Sequence, residues 1–293
     1  MRQVVFGVLF ALCVSFFIFI NQAFSEEAYR FQVTTEYSTS DGDIGNETDT
    51  YWIGGRVYLD SVETEGRLKK EAAFLQRIGN FALFLAKRDF ETSTNLKGDG
   101  SAISVSSTIM RPQSPFLFQV GYLKSETKYD YPTDAENEAD TFGVGGGYFV
   151  GDTFLVYGRY QYSEIDVTGS SFRNRKIKHH IYSILTKYVK EIDQKGYNIE
   201  TSISRDDTED DITDKTNYIF GVYGDYYFNT DFSLGTTISL GDTGDTGYKG
   251  SMVGIHANAF ITPKVNLFLS YGIFYSSISA ITDILTASLS IRF

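Results

Sequence analysis

The chain has 293 residues, with 37 acids against 26 lysines and arginines and a formal charge of −11. That balance excludes a nucleic-acid binder working through a basic surface, and the single cysteine, Cys13, excludes both a disulfide framework and a thiolate metal cluster. Aromatics reach 16%, with 21 Tyr and 24 Phe, at a mean hydropathy of only −0.18, a combination that suits strands facing lipid on one side and water on the other.

In chain order, Arg2 precedes an uncharged apolar run from Val4 to Ile20, and Ala23-Phe24-Ser25 follows it. This is the pattern of a secretory signal peptide cleaved after Ser25. An uncleaved anchor is the rival, but the run is shorter than the roughly 20 residues of a membrane span. The expectation is a signal peptide over 1–25 and a mature domain over 26–293.

The mature chain divides into segments of alternating polarity, beginning near Ala28, Asp49, Asn80, Gly100, Phe116, Thr141, Thr153, Lys178, Lys195, Thr216, Asp231, Ser251, Lys264 and Thr282. About fourteen strands of roughly ten residues, an even number, are what an outer-membrane barrel needs. The connections alternate in length. MRPQSP, VGD, EIDQ, NT and TP are tight turns rich in Gly, Pro, Asn and Asp. Between them lie seven longer polar stretches, among them Glu126–Asp140 and the acidic run Asp206–Asp211, both read as outer loops. Short turns on one side and long loops on the other are the periplasmic and extracellular ends of such a barrel.

Alternation also assigns faces. Leu285, Ala287, Leu289, Ile291 and Phe293 share one face of the last strand, while Thr286, Ser288, Ser290 and Arg292 share the other. The apolar face meets lipid and the polar face lines a lumen. Phe116, Tyr148, Phe154, Phe228, Phe232, Phe260 and Phe293 lie beside the short turns. Tyr37, Tyr51, Tyr122, Phe142, Tyr162, Tyr218 and Tyr275 lie beside the long loops. These two rows are expected to form interfacial girdles.

Two stretches point to a family. The alternating last strand ends in Phe293, and Leu289, Ile291 and Phe293 look like the C-terminal signal read by the barrel-assembly machinery. Tyr51–Leu85, with Glu71, Ala72, Ala73, Phe74, Leu75 and Arg77 before the third strand, resembles the early region of a porin family of Gram-negative outer-membrane β-barrels. The resemblance implies an all-β closed antiparallel transmembrane barrel that acts as a pore. It brings no catalytic residue.

A search for chemistry is negative. His179 and His180 are adjacent on a strand and point to opposite faces, so they cannot share a metal. Ser202, the serine that might serve His179 as a nucleophile, is expected to face the other way. The acidic run lacks the ligand spacing of a calcium loop. No catalytic residue, metal or cofactor is expected. Gly143, Gly145 and Gly147 share an inward face, leaving room for an infolded loop, Glu126–Asp140 being the nearest, or relieving crowding in a curved sheet.

The phase puts Arg30, Arg56, Arg88, Arg159 and Arg292 in the lumen against Glu36, Glu200 and Asp225. Arg30, Arg56, Arg159, Arg292, Glu200 and Asp225 are the principal pore-lining candidates. They either orient ions and dipolar solutes or pair across the lumen. The expected function is passive diffusion of small hydrophilic solutes and ions across the outer membrane of a Gram-negative bacterium. A plugged structural or adhesive barrel acting through acidic loops is the first alternative, and a barrel enzyme the second. Membrane lipid, lipopolysaccharide and the assembly machinery are the expected partners, nucleic acid is not, and nothing sets an oligomeric state.

Overall fold

The computed structural model describes residues 28–42, 46–92, 96–130, 135–169, 175–210, 214–243, 248–276 and 281–293. The expected signal peptide lies outside them. Fourteen strands run in chain order. The first seven are β1 (Ala28–Gly42), β2 (Glu47–Glu63), β3 (Asn80–Glu91), β4 (Lys97–Met110), β5 (Phe116–Tyr129), β6 (Ala135–Val150) and β7 (Phe154–Gly169). The rest are β8 (Arg175–Ile192), β9 (Lys195–Asp210), β10 (Lys215–Tyr227), β11 (Phe232–Thr243), β12 (Tyr248–Thr262), β13 (Val265–Ser276) and β14 (Thr282–Arg292). Each pairs antiparallel with its sequence neighbours, and β1 pairs with β14, so the sheet closes into a barrel without an edge.

Period-2 alternation decides what each face meets. Val105, Val120, Val144, Ile184, Ile203, Ile255 and Leu269 are exposed on the outside, the belt expected of a chain surrounded by lipid. Ser104, Ser106, Gln119, Ser202 and Ser204 take the alternate, lumenal positions. The outer aromatic row is external as expected: Tyr37 packs on Tyr51, and Tyr122, Phe142, Tyr218 and Tyr275 are exposed. In the periplasmic row Phe260 departs from expectation. It is buried inside the barrel, because its position in β12 has the same parity as lumenal His256 and Asn258.

The strands are 11 to 18 residues long, more than the roughly 9–11 that cross a bilayer. The excess is at the outer end. The acidic run read as a loop is largely β9 strand: Asp206 meets His179 Nδ1 at 3.1 Å, Asp207 accepts from Arg205 Nε at 2.9 Å, and Asp210 lies 3.3 Å from Arg175. Pairing with His179 and Arg175 across the β8–β9 ladder, and with Arg205 along β9, lets these acids extend the strand into water. Glu126–Asp140 is likewise mostly strand, β5 running to Tyr129 and β6 starting at Ala135. The space over the β6 glycines is filled by β7 side chains instead. A Cβ on Gly145 would fall on the Tyr157 ring, and one on Gly143 would touch Arg159 and Gln161.

At the periplasmic end the turns are tight. Asp193 and Gln194 both have positive φ, the two-residue hairpin geometry that matches sheet twist. One connection breaks the rule. Between β2 and β3, Thr64–Gly79 is far longer than the other periplasmic turns and contains the one-turn helix α1 (Ala72–Leu75).

Candidate functional site

The β2–β3 segment turns into the barrel and lies across its periplasmic end. Gly66, at φ +64, makes the first bend. Glu71 N–H donates to Leu68 O at 2.9 Å, and one helical turn follows. Arg77 ends it in the left-handed region, φ 54, with its N–H on Phe74 O. Apolar residues, Leu68, Ala72, Phe74, Leu75 and Ile78 among them, hold the segment to the wall. Leu68 is wholly buried against Val189 and Tyr227, and Leu75 packs beside them. Ala72 joins Tyr29, Tyr58 and Val62, and Phe74 reaches the cluster of Phe149, Leu155 and Tyr157. All three buried apolar clusters of the described residues thus include this plug.

Ion pairs fix the rest. The Glu71 carboxylate, 3% exposed, accepts from Tyr227 Oη at 2.8 Å and from Lys187 Nζ at 2.7 Å. Lys187 also donates to Glu200 at 2.8 Å. Lys70 Nζ lies 2.9 Å from Asp225 Oδ2. The other oxygen of Asp225 meets His256 Nε2 at 2.9 Å and Ser233 Oγ at 3.2 Å. His256 stacks on Tyr223 with ring centroids 4.6 Å apart and planes nearly parallel. Lys69 pairs with Asp231. Arg77 donates to the Ser114 and Gly151 carbonyls and to Asp152. The plug therefore touches β6, β8, β10, β14 and three periplasmic turns, a set that spans the barrel's circumference.

Of the six pore-lining candidates, five take lumenal positions. Glu200 and Asp225 are held by Lys187, Lys70 and His256. Arg292 is 4% exposed, lies 4.5 Å from the rings of both Tyr29 and Phe260, and donates to the plug carbonyl of Lys69 at 2.9 Å. Arg56 stands in the same row, with Gln32 between them, since Gln32 pairs with Arg292 on one side and Arg56 on the other. Arg159 faces open lumen. Arg30 does not line the pore. It falls in the register break between Tyr29 and Phe31, is exposed, and pairs with exposed Asp60 at 3.2 Å. A bulge in β1 shifts the phase there, which alternation alone does not reveal.

Lys187 was not singled out from sequence, and Glu71–Arg77 was read as a family motif before the third strand, not as a plug. Buried acids in a lumen require partners, and that requirement was the available signal. His179 and Ser202 share the lumenal face, contrary to expectation. The pair is still unusable, because Ser202 stands opposite Leu185 and His179 opposite Thr208. Glu126, Glu136 and Glu138 bring carboxylate oxygens within 4.8 Å of one another, but Lys128 reaches Glu126 at 2.6 Å and Glu136 at 3.5 Å and supplies the positive charge.

At the β1–β14 seam the Phe293 carbonyl accepts from Arg30 and Phe31 N–H at 2.7 and 3.0 Å, and Phe293 N–H donates to Phe31 O at 2.8 Å. Leu289 and Ile291 lie on β14 opposite Thr35 and Val33.

Among solved structures, the chain is similar to the outer membrane protein Omp33 of Acinetobacter baumannii, with TM-score 0.60 and 18% identity over 92% of this chain and 100% of that one. CdiB from Acinetobacter baumannii gives 0.51 at 8% identity, over 89% of this chain and 60% of CdiB. A TodX deletion mutant described as a monoaromatic hydrocarbon channel gives 0.50 at 8% identity, over 92% and 91%. No family model and no curated protein matches the chain. At these identities the likeness is one of fold. The closed sheet and outward apolar belt are those of an outer-membrane β-barrel.

Proposed function

We propose that the barrel is a channel for small hydrophilic solutes and ions whose resting conductance is set by the β2–β3 plug. The carrying observation is how the lumen charges divide. Glu200 and Asp225 at the periplasmic end are tied to the plug by Lys70, Glu71 and Lys187, while beyond it the β4–β7 wall is lined by small neutral residues and Arg159, with Glu36 and Arg88 facing the same lumen from β1 and β3. A structural barrel has no need to leave polar side chains facing open lumen. Catalysis is not part of this reading: His256 is occupied by Asp225 and Tyr223.

In the same reading the first 25 residues are a leader removed on export. Leu289, Ile291 and Phe293 present the last strand to the barrel-assembly machinery, and lipopolysaccharide surrounds the outer half. Planar-bilayer recording tests the channel. The wild-type protein should show small, steady single-channel currents in KCl. A variant with Gly-Ser residues replacing Glu65–Arg77 should conduct several-fold more. Silence from both proteins would overturn the reading and favour a plugged structural barrel.

A further inference from the structure

Above the plug, the inner wall of β4–β7 encloses a niche of about 220 Å³. Ser104, Ser106, Gln119, Thr141, Gln161 and Arg159 face into it. Alternation gives the inner face of these four strands one charged residue, Arg159. Among the described residues no carboxylate pairs with its guanidinium, unlike Lys187, Lys70 and Arg77. Gly143 and Gly145 make this possible. The arginine lies across the bare backbone of Gly143, and Tyr157 lies across Gly145, its hydroxyl donating to Gln119 Oε1 at 2.5 Å. That bond fixes the Gln119 carbonyl and leaves its amide N–H groups to face the niche.

We infer that this niche is a binding site for a small hydroxylated monocarboxylate, a sugar acid or hydroxy acid, on its way through the pore. The inference rests on the channel reading for its route and on the niche alone for its chemistry. One guanidinium offers a planar fork that matches one carboxylate. Neutral amides and hydroxyls around it suit the hydroxyls of the same solute. A zwitterionic amino acid would bring an ammonium group to a wall with no acid to receive it, so its second charge would gain no contact there and would lie near the guanidinium of like sign. A dianion would carry a second charge without a second cation. The space is smaller than the roughly 300–1,000 Å³ of pockets for drug-sized ligands, which suits a solute no larger than one sugar acid.

The test uses gluconate as probe, with glucose and glycine for comparison, on the refolded full barrel in planar bilayers. Gluconate should block the KCl current, with glucose and glycine weaker by at least about tenfold, the scale of a hydrogen bond to a charged group. Arg159→Gln should lose about tenfold in apparent affinity for gluconate, read as the fraction of its own KCl current that gluconate blocks. Arg88→Gln, a lumenal arginine outside the niche, should block like wild type. Equal block of wild type and Arg159→Gln, or equal potency of glycine, would overturn the site while leaving the channel intact. Should the barrel carry no KCl current, the channel reading fails and calorimetry in detergent decides the site. Gluconate heat lost in Arg159→Gln upholds it, and no heat from wild type overturns it.

Discussion

The walls formed by β4–β7 and by β8–β10 are neighbours around one lumen, joined along the β7–β8 ladder, and use charge in opposite ways. On β8–β10 every acid near the periplasmic end has a cation against it, and that cation comes from the plug or is shared with it: Glu200 with Lys187, Asp225 with Lys70. On β4–β7 the one inward charge, Arg159, has no such partner. Buried charges that are paired hold structure together and are costly to separate. A charge left facing solvent in a water-filled pore costs the fold little and is available to solutes. Pairing state, more than sign or position, separates plug anchors from solute contacts.

The sharpest way to break this contrast is Lys187→Met. It leaves the buried Glu71 carboxylate without its ammonium partner, which should cost about 3–5 kcal/mol. Urea titration of the folded barrel in lipid reads that loss, and adding Glu71→Gln should restore part of it. A cost below about 1 kcal/mol, the scale of exposed pairs, would mean that the pairing is not what holds the plug.

Next in size is Leu269→Arg, which places a charge on the lipid side of β13. It should cost about 2–4 kcal/mol at mid-bilayer, while Ser270→Arg on the lumenal side should cost far less. Equal penalties would undo the face assignment on which the two-wall contrast depends. Phe74→Ala removes the ring joining two of the apolar clusters and should cost about 2 kcal/mol, the scale of burying one such side chain. It should also raise current noise as the plug loosens. Smallest is Arg159→Gln, expected to change stability by less than about 0.5 kcal/mol in the same urea titration. A large loss would make Arg159 an anchor like Lys187.

Strand number, faces and periplasmic strand starts could be read from the sequence, several of them to the residue, as at Ala28, Asn80, Phe116 and Lys195. Turns built on Pro, Gly, Asn and Asp punctuate that end sharply. The outer ends could not be placed so well. Beyond the membrane both faces of a strand meet water, so alternation fades and segments such as Asp206–Asp210 look like loops. Arg30 was misplaced because a bulge changes phase without changing composition. The plug was missed for a different reason. Its apolar residues, Leu68, Ala72, Phe74 and Leu75, follow neither strand nor long-helix spacing, and their partners lie on strands remote in sequence. The length of Thr64–Gly79 beside turns as brief as Asp193–Gln194 was the clue that alternation arguments pass over.

The position of the plug also constrains the order in which the molecule can be built. It belongs to the second hairpin, yet its bonds are to β8, β10 and β14. None of these bonds can form while only the early strands are paired, and contacts of such wide sequence separation are slow to make. The last strand then does two things in one event. It zips the seam, and through Arg292 it locks onto Lys69. An immature barrel would be an open trough with its future stopper loose in the middle, exposing Leu68 and Phe74 until the sheet wraps around them.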